Sequence, residues 1–261
     1  MMTQSMMVKQ THRVARWLQH RLLGLSHHWL AWANAIWGTV FVLPWIAPVL
    51  MKIGATRWGL LIYAAYRHLC HQLANRSFFL FGPRPMYSYV ELLPYASSAN
   101  TPLGLKAFIG TSELGYKVAW SDRMVSMYGG ILLGGLVFAL VRRHLRAPKW
   151  WAPTLMALPM VLDGITHTIS DLSGIGQGFR YHNGWLVALT GHSLPRSFYV
   201  GTTLGSFNSS MRLVTGLLFG LAVVWIAYPM FEDYFQDARR TLEPRLHQDE
   251  KTNPTEDLDD A

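Results

Sequence analysis

Met124-Val-Ser-Met-Tyr-Gly-Gly-Ile-Leu-Leu-Gly-Gly-Leu-Val-Phe-Ala-Leu-Val141 runs without a single charged residue. A helix needs roughly 20 apolar residues to cross the hydrocarbon of a bilayer, and this run with its flanks is that long. Gly130 and Gly134 stand four apart, a small-residue spacing that lets helix backbones approach closely. Outward from this run the pattern repeats. Trp29–Met51 is uncharged, with Pro44 and Pro48 inside it. Trp58–His71 is weaker, its purely apolar part ending at Tyr66. Trp150–Ile169 is interrupted by Asp163 and His167, and Leu213–Phe231 carries Gly216 and Gly220 at the same small-residue spacing. The expected fold is all-α: a polytopic helical membrane bundle of four to five transmembrane helices, with long extracytoplasmic loops at 76–122 and 171–208.

Three regions are expected: a basic segment 1–28, a helical membrane domain 29–231, and a polar tail 232–261 without fixed structure. For residues 1–28 two readings fit. Val14, Trp17, Leu18 and Leu22 recur at helical spacing, as in an interfacial amphipathic helix; a disordered basic tail has the same composition. The first apolar run is long and has no small-residue cleavage site after it, so no cleavable signal peptide is expected.

Only 15% of residues are charged, yet the net charge is +8. The basic residues sit beside the apolar runs, which points to lipid headgroups and cytoplasmic loops rather than to nucleic acid. Arg142, Arg143, His144, Arg146 and Lys149 form the strongest cytoplasmic signal, with Arg239, Arg240 and Arg245 on the same side. The basic N-terminus asks for that side too. It gets there if Trp58–His71 does not cross fully, or if the first run is re-entrant. The former is favoured, giving four full spans and a partial one.

This layout brings polar residues to one membrane face. Cys70 and His71 end the second run, Arg123 begins the third, Asp163 and His167 lie near the outer end of the fourth, and Ser209 and Arg212 open the last. Ionisable groups within spans are costly and are usually paired or functional. Asp163 and His167 share a helix face, as do His68 and His71, and Arg123 and Arg212 can each neutralise Asp163. Three readings fit: an ion pair pinning two helices, a site for a ligand or proton, and a metal ion held by His68, His71, Asp163 and His167. The one cysteine excludes a disulfide within the chain, a four-cysteine zinc site and a haem-attachment CxxCH. No Walker A loop, HExxH or GxGxxG occurs, and Gly191-His192-Ser193-Leu194-Pro195 has Pro195 where a nucleophile elbow has glycine.

Cys70-His71-Gln72, followed by Arg76-Ser77-Phe78, resembles the opening motif of a membrane-protein family of bacteria and archaea, domain of unknown function 2085. Its next motif, Cys-x-Arg-Cys-x-Gly-x-Tyr-x-Gly, is met by Ser121-Asp122-Arg123-Met124-Val125-Ser126-Met127-Tyr128-Gly129-Gly130. There Arg123, Tyr128 and Gly130 match, and both cysteines are replaced. The third, Asp-Gly-x-Thr-Gln, is met by Asp163-Gly164-Ile165-Thr166-His167, and the fourth by Ser209 to Gly216 with Arg212. The resemblance spans roughly residues 60 to 230. It implies an integral membrane protein and supplies no activity. The family's cysteines would suit a thiolate metal site or a redox dithiol; with Ser121 and Met124 in their places, that chemistry is not expected here.

The candidate polar site is therefore Cys70, His71, Arg76, Arg123, Tyr128, Asp163, His167 and Arg212. Two functions fit. One is an accessory membrane subunit whose long loops contact another membrane protein. The other is a membrane enzyme or ligand-binding protein with its site at the outer helix ends. A transporter fits less well, because no internal symmetry is visible.

Overall fold

The computed structural model describes residues 4–96, 100–142, 144 and 148–252. Arg143 and Arg146 of the basic hairpin and the acidic end 253–261 lie outside the described residues. In chain order the elements are α1 (Gln4–Lys52), α2 (Thr56–Tyr66), a 3-10 turn (Ala74–Arg76), β1 (Ser77–Leu80), α3 (Tyr89–Leu92), α4 (Pro102–Ala107), β2 (Gly110–Thr111), β3 (Gly115–Ser121), α5 (Asp122–Val141), α6 (Trp151–Asp171), α7 (Phe179–His182), α8 (Gly184–Leu189), α9 (Arg196–Tyr199) and α10 (Phe207–Thr252).

The protein is mostly helical but not all-α. An antiparallel sheet in the order β1-β3-β2 occupies the first long loop expected from sequence. The prolines of this stretch, Pro83, Pro85, Pro94 and Pro102, all lie outside the strands. Gly115, at φ 78°, makes the β2–β3 turn in a conformation that L side chains resist.

Among the described residues three helices are long and apolar enough to cross a membrane, over Arg13–Lys52, Asp122–Val141 and Phe207–Gln248. α2 has 11 residues, about half of what a crossing takes. The expected boundaries at 28/29 and 231/232 fall inside continuous helices. Glu232 does not begin a structureless tail, since α10 runs on to Thr252. The polar ends of α1 and α10 hold each other: His27 Nε2 lies 3.2 Å from Glu243, Arg239 donates to the Ser26 carbonyl, and Leu242 and Leu246 are buried.

α5 and α10 lie side by side and run the same way. Arg212 meets Asp122 at one end, Gly134 packs on Leu221 and Val224 midway, and Glu232 lies 3.5 Å from Arg142 at the other end. Glycine makes the approach possible. A Cβ on Gly216 would strike Ser126 Oγ and the Arg123 carbonyl, and one on Gly220 would strike the Met127 carbonyl. α1 runs antiparallel to both, with Trp29 against Phe138 and Tyr228, and Asn34 donating to the Gly135 carbonyl.

Pro44 fastens the sheet to α1. It has no N–H, so the Val40 carbonyl loses its helical donor. Tyr66 Oη and Trp120 Nε1 donate to that carbonyl instead, at 3.1 and 3.3 Å. Trp120 also stacks on Tyr128, which packs against Trp37. α2, β3 and the C-terminal half of α1 thereby share one core around Tyr63, Tyr66 and Trp120.

Gly216→Ala and Gly220→Ala should each destabilise the protein by about 1–3 kcal/mol through overpacking. Gly24→Ala, where a Cβ would meet nothing within 4 Å, should not. Thermal unfolding in detergent compares them.

Candidate functional site

Where β3 gives way to α5, the helix ends carry a network of guanidinium and carboxylate groups. Asp122, the first residue of α5, is fully buried. Arg212 on α10 grips it through Nε at 2.8 and 2.9 Å and through Nη2 at 2.7 Å, and Ser209 Oγ donates to it at 3.0 Å. The same Arg212 Nη2 donates to the Thr202 carbonyl. A second knot forms on α6. Asp163 accepts from Arg123 Nη2 at 2.6 Å and from Arg180 Nη2 at 2.5 Å, and Arg180 also lies 3.2 Å from His167 Nε2. About two turns beyond Asp163 on α6, Asp171 accepts from Arg76 Nη2 through both carboxylate oxygens, at 2.8 Å.

Of the expected residues, Arg76, Arg123, Asp163, His167 and Arg212 come together in this network. Arg212 corrects the sequence reading, because its partner is Asp122 and not Asp163. Asp122 and Arg180 were missed. Asp122 had a signal, a carboxylate opening an apolar run; Arg180, on the short α7, had none. Gly164 leaves room for the Arg123 guanidinium, whose Nη1 would lie 3.2 Å from a Cβ there. Tyr128 serves the aromatic stack instead and makes no contact with the network.

The metal set does not assemble. Among the described residues, no three His, Cys, Asp or Glu side chains come close enough to hold an ion. His68 is exposed, and Asp163 and His167 face guanidinium groups, which repel a cation.

Cys70 turns away from the network, into the core under β3. Its Sγ lies 3.6 Å from Ser121 Oγ and accepts the Gln72 N–H at 3.3 Å. Gln72 reaches back to the Tyr63 carbonyl, and its own carbonyl takes Lys117 Nζ at 2.7 Å. Lys117 is fully buried, and its second partner is the Lys106 carbonyl at 2.8 Å. Burial pushes its ammonium down to about 7.

An open cleft of about 560 Å³ lies between α4, α6 and the start of α5, with His71, Arg76, Lys106, Arg123, His167 and Asp171 in its walls. Nε of both Arg76 and Arg123 is buried without a hydrogen-bond partner. Lys106 has no carboxylate partner among the described residues. Such a wall can hold an anion through the planar fork of arginine.

Asp122→Asn leaves Arg212 buried opposite a neutral group and should cost about 3–5 kcal/mol. Arg84→Ala breaks the exposed pair with Glu91 and should cost about 0–1 kcal/mol. Chemical denaturation in detergent separates the two. Lys117 gives a pH dependence. The unfolded chain holds more protons than the fold between about 7 and the ordinary 10.5, so stability should rise with pH across that window. Melting temperatures from neutral to alkaline pH measure the slope, which Lys117→Met should flatten.

No solved structure matches the chain. The chain is 23% identical over 193 residues to an uncharacterised protein of Methanocaldococcus jannaschii, with 71% of this chain and 81% of that protein covered. Residues 112–226, which carry Asp122, Arg123, Asp163, Arg180 and Arg212, match the family described as predicted membrane protein (DUF2085), the family to which the four motifs pointed.

Proposed function

We propose that this is a multi-pass membrane protein that binds an anionic ligand in the cleft between Arg76, Lys106 and Arg123, at the extracytoplasmic ends of its helices. α5 and α10 run the same way, so the chain between them has to return. α6, with 21 residues, is long enough to be that fourth crossing. Its Met156 lies near Val137 and Trp225, and its Asp163 lies beside Arg123 towards the opposite end. α2 then counts as a partial span. Arg142 and Lys149, in the short connection from α5 to α6, belong in the cytoplasm, which puts the cleft outside.

The observation that carries the reading is the cleft itself. It is of small-molecule size, and Arg76, Lys106 and Arg123 give it basic walls. The accessory-subunit reading rests on the replaced cysteine pair and on two long loops. The first of these loops has a core of its own around Phe79, Leu92 and Leu105, against which Ile175 of the second packs, so neither is a bare extended arm, which favours a small ligand over a docked protein.

Inorganic phosphate added to the purified protein should raise its melting temperature. Lys106→Gln, at a half-buried position, should fold normally and bind phosphate about tenfold more weakly, as expected for losing one charge-assisted hydrogen bond. If phosphate, sulfate and acetate all leave the melting temperature unmoved, the anion reading fails.

A further inference from the structure

We infer that the anion is the phosphate monoester headgroup of a lipid, entering the cleft sideways from the bilayer; this rests on the anion-binding reading above. Two observations carry it beyond that reading.

The first is charge. Among the described residues Arg76, Lys106, Arg123 and Asp171 line the cleft, and behind Arg123 lies the buried pair of Asp163 and Arg180. Four cations against two anions leave an excess of two positive charges. The Asp122–Arg212 pair is closed on itself and changes nothing. A phosphate monoester brings nearly two negative charges at neutral pH, whereas a phosphodiester headgroup brings one.

The second is the wall. Successive residues of a helix turn by about 100°. On α6 the residues lining the cleft are Gly164, His167, Thr168 and Asp171, all on one face. The adjoining face carries Val161, Ile165, Ile169 and Leu172, exposed at 47%, 52%, 54% and 83%. Leu103, on α4 at the cleft, is 76% exposed. With α6 as a crossing, this strip faces the bilayer, so the cleft opens directly beside lipid. An acyl chain lying along α6, with its phosphate turned in past Thr168 to Arg123 and Lys106, would cover the strip, and its hydrocarbon would never leave the bilayer.

The test uses the full-length protein in phosphatidylcholine nanodiscs and measures binding of phosphatidic acid, phosphatidylglycerol, glycerol 3-phosphate and inorganic phosphate. Phosphatidic acid should bind about tenfold or more tightly than each of the other three, the gain expected from one further charge-assisted contact or a few buried methylenes. Ile169→Gln combined with Leu172→Gln should weaken phosphatidic acid and leave inorganic phosphate unchanged, which also shows that the variant is folded. Equal affinity for phosphatidic acid and inorganic phosphate, with no effect of the strip variant, would overturn the lipid inference and leave the anion reading standing. A preference for phosphatidylglycerol would overturn the monoester. Absence of binding by any of the four would overturn both.

Discussion

Taking a carboxylate and a guanidinium out of water together costs several kcal/mol per ion, and only close geometry with further hydrogen bonds offsets it. The Asp122–Arg212 contact meets that condition. Asp122 receives Arg212 and Ser209, and Arg212 also satisfies the Thr202 carbonyl. The pair fixes the starts of α5 and α10 against each other. From that register follow the fit of Gly216 and Gly220 beneath α5, the position of Arg123 one residue further on, and so the partner that Asp163 finds. The α10 end of the pair also ties down the 172–206 segment through Thr202. The site and the bundle therefore rest on the same two residues.

The apolar runs made the long helices legible, because hydrocarbon-length stretches leave the chain few alternatives. The glycine spacing at 130/134 and 216/220 pointed to close helix contact, and the structure pairs those two helices. The four-residue spacing of Asp163 and His167 gave their common face. The sheet was not legible. Its strands are short, and β1 finds β3 across some forty residues of chain, so no local period announces it. The choice between Asp122 and Asp163 as partner of Arg212 was equally hidden: both are carboxylates at one rim, and only the parallel register of α5 and α10 decides. Arg180 sits on a four-residue helix, where no pattern points anywhere.

The C-terminal stretch differs from expectation for a related reason, and at the N-terminal stretch the helical of the two readings holds. The first and last stretches are polar enough to look unstructured when taken singly. Where they meet they hold each other, through His27 with Glu243 and Arg239 with the Ser26 carbonyl, beside the buried Leu242 and Leu246. Tertiary pairing of this kind adds to local propensity.

The α5–α10 couple is pinned at both of its extremities. Asp122 and Arg212 hold one; Arg142 and Glu232, with Trp29 Nε1 donating to Glu232 at 3.1 Å, hold the other. The 20 residues of α5 between them measure about 30 Å. Glycine faces lie under carbonyl groups along the way. Piston travel of α10 past α5 would break ion pairs at both extremities and drive side chains into backbone. Any signal carried from the cleft to the opposite side of the bilayer must then travel as tilt, bend or axial twist.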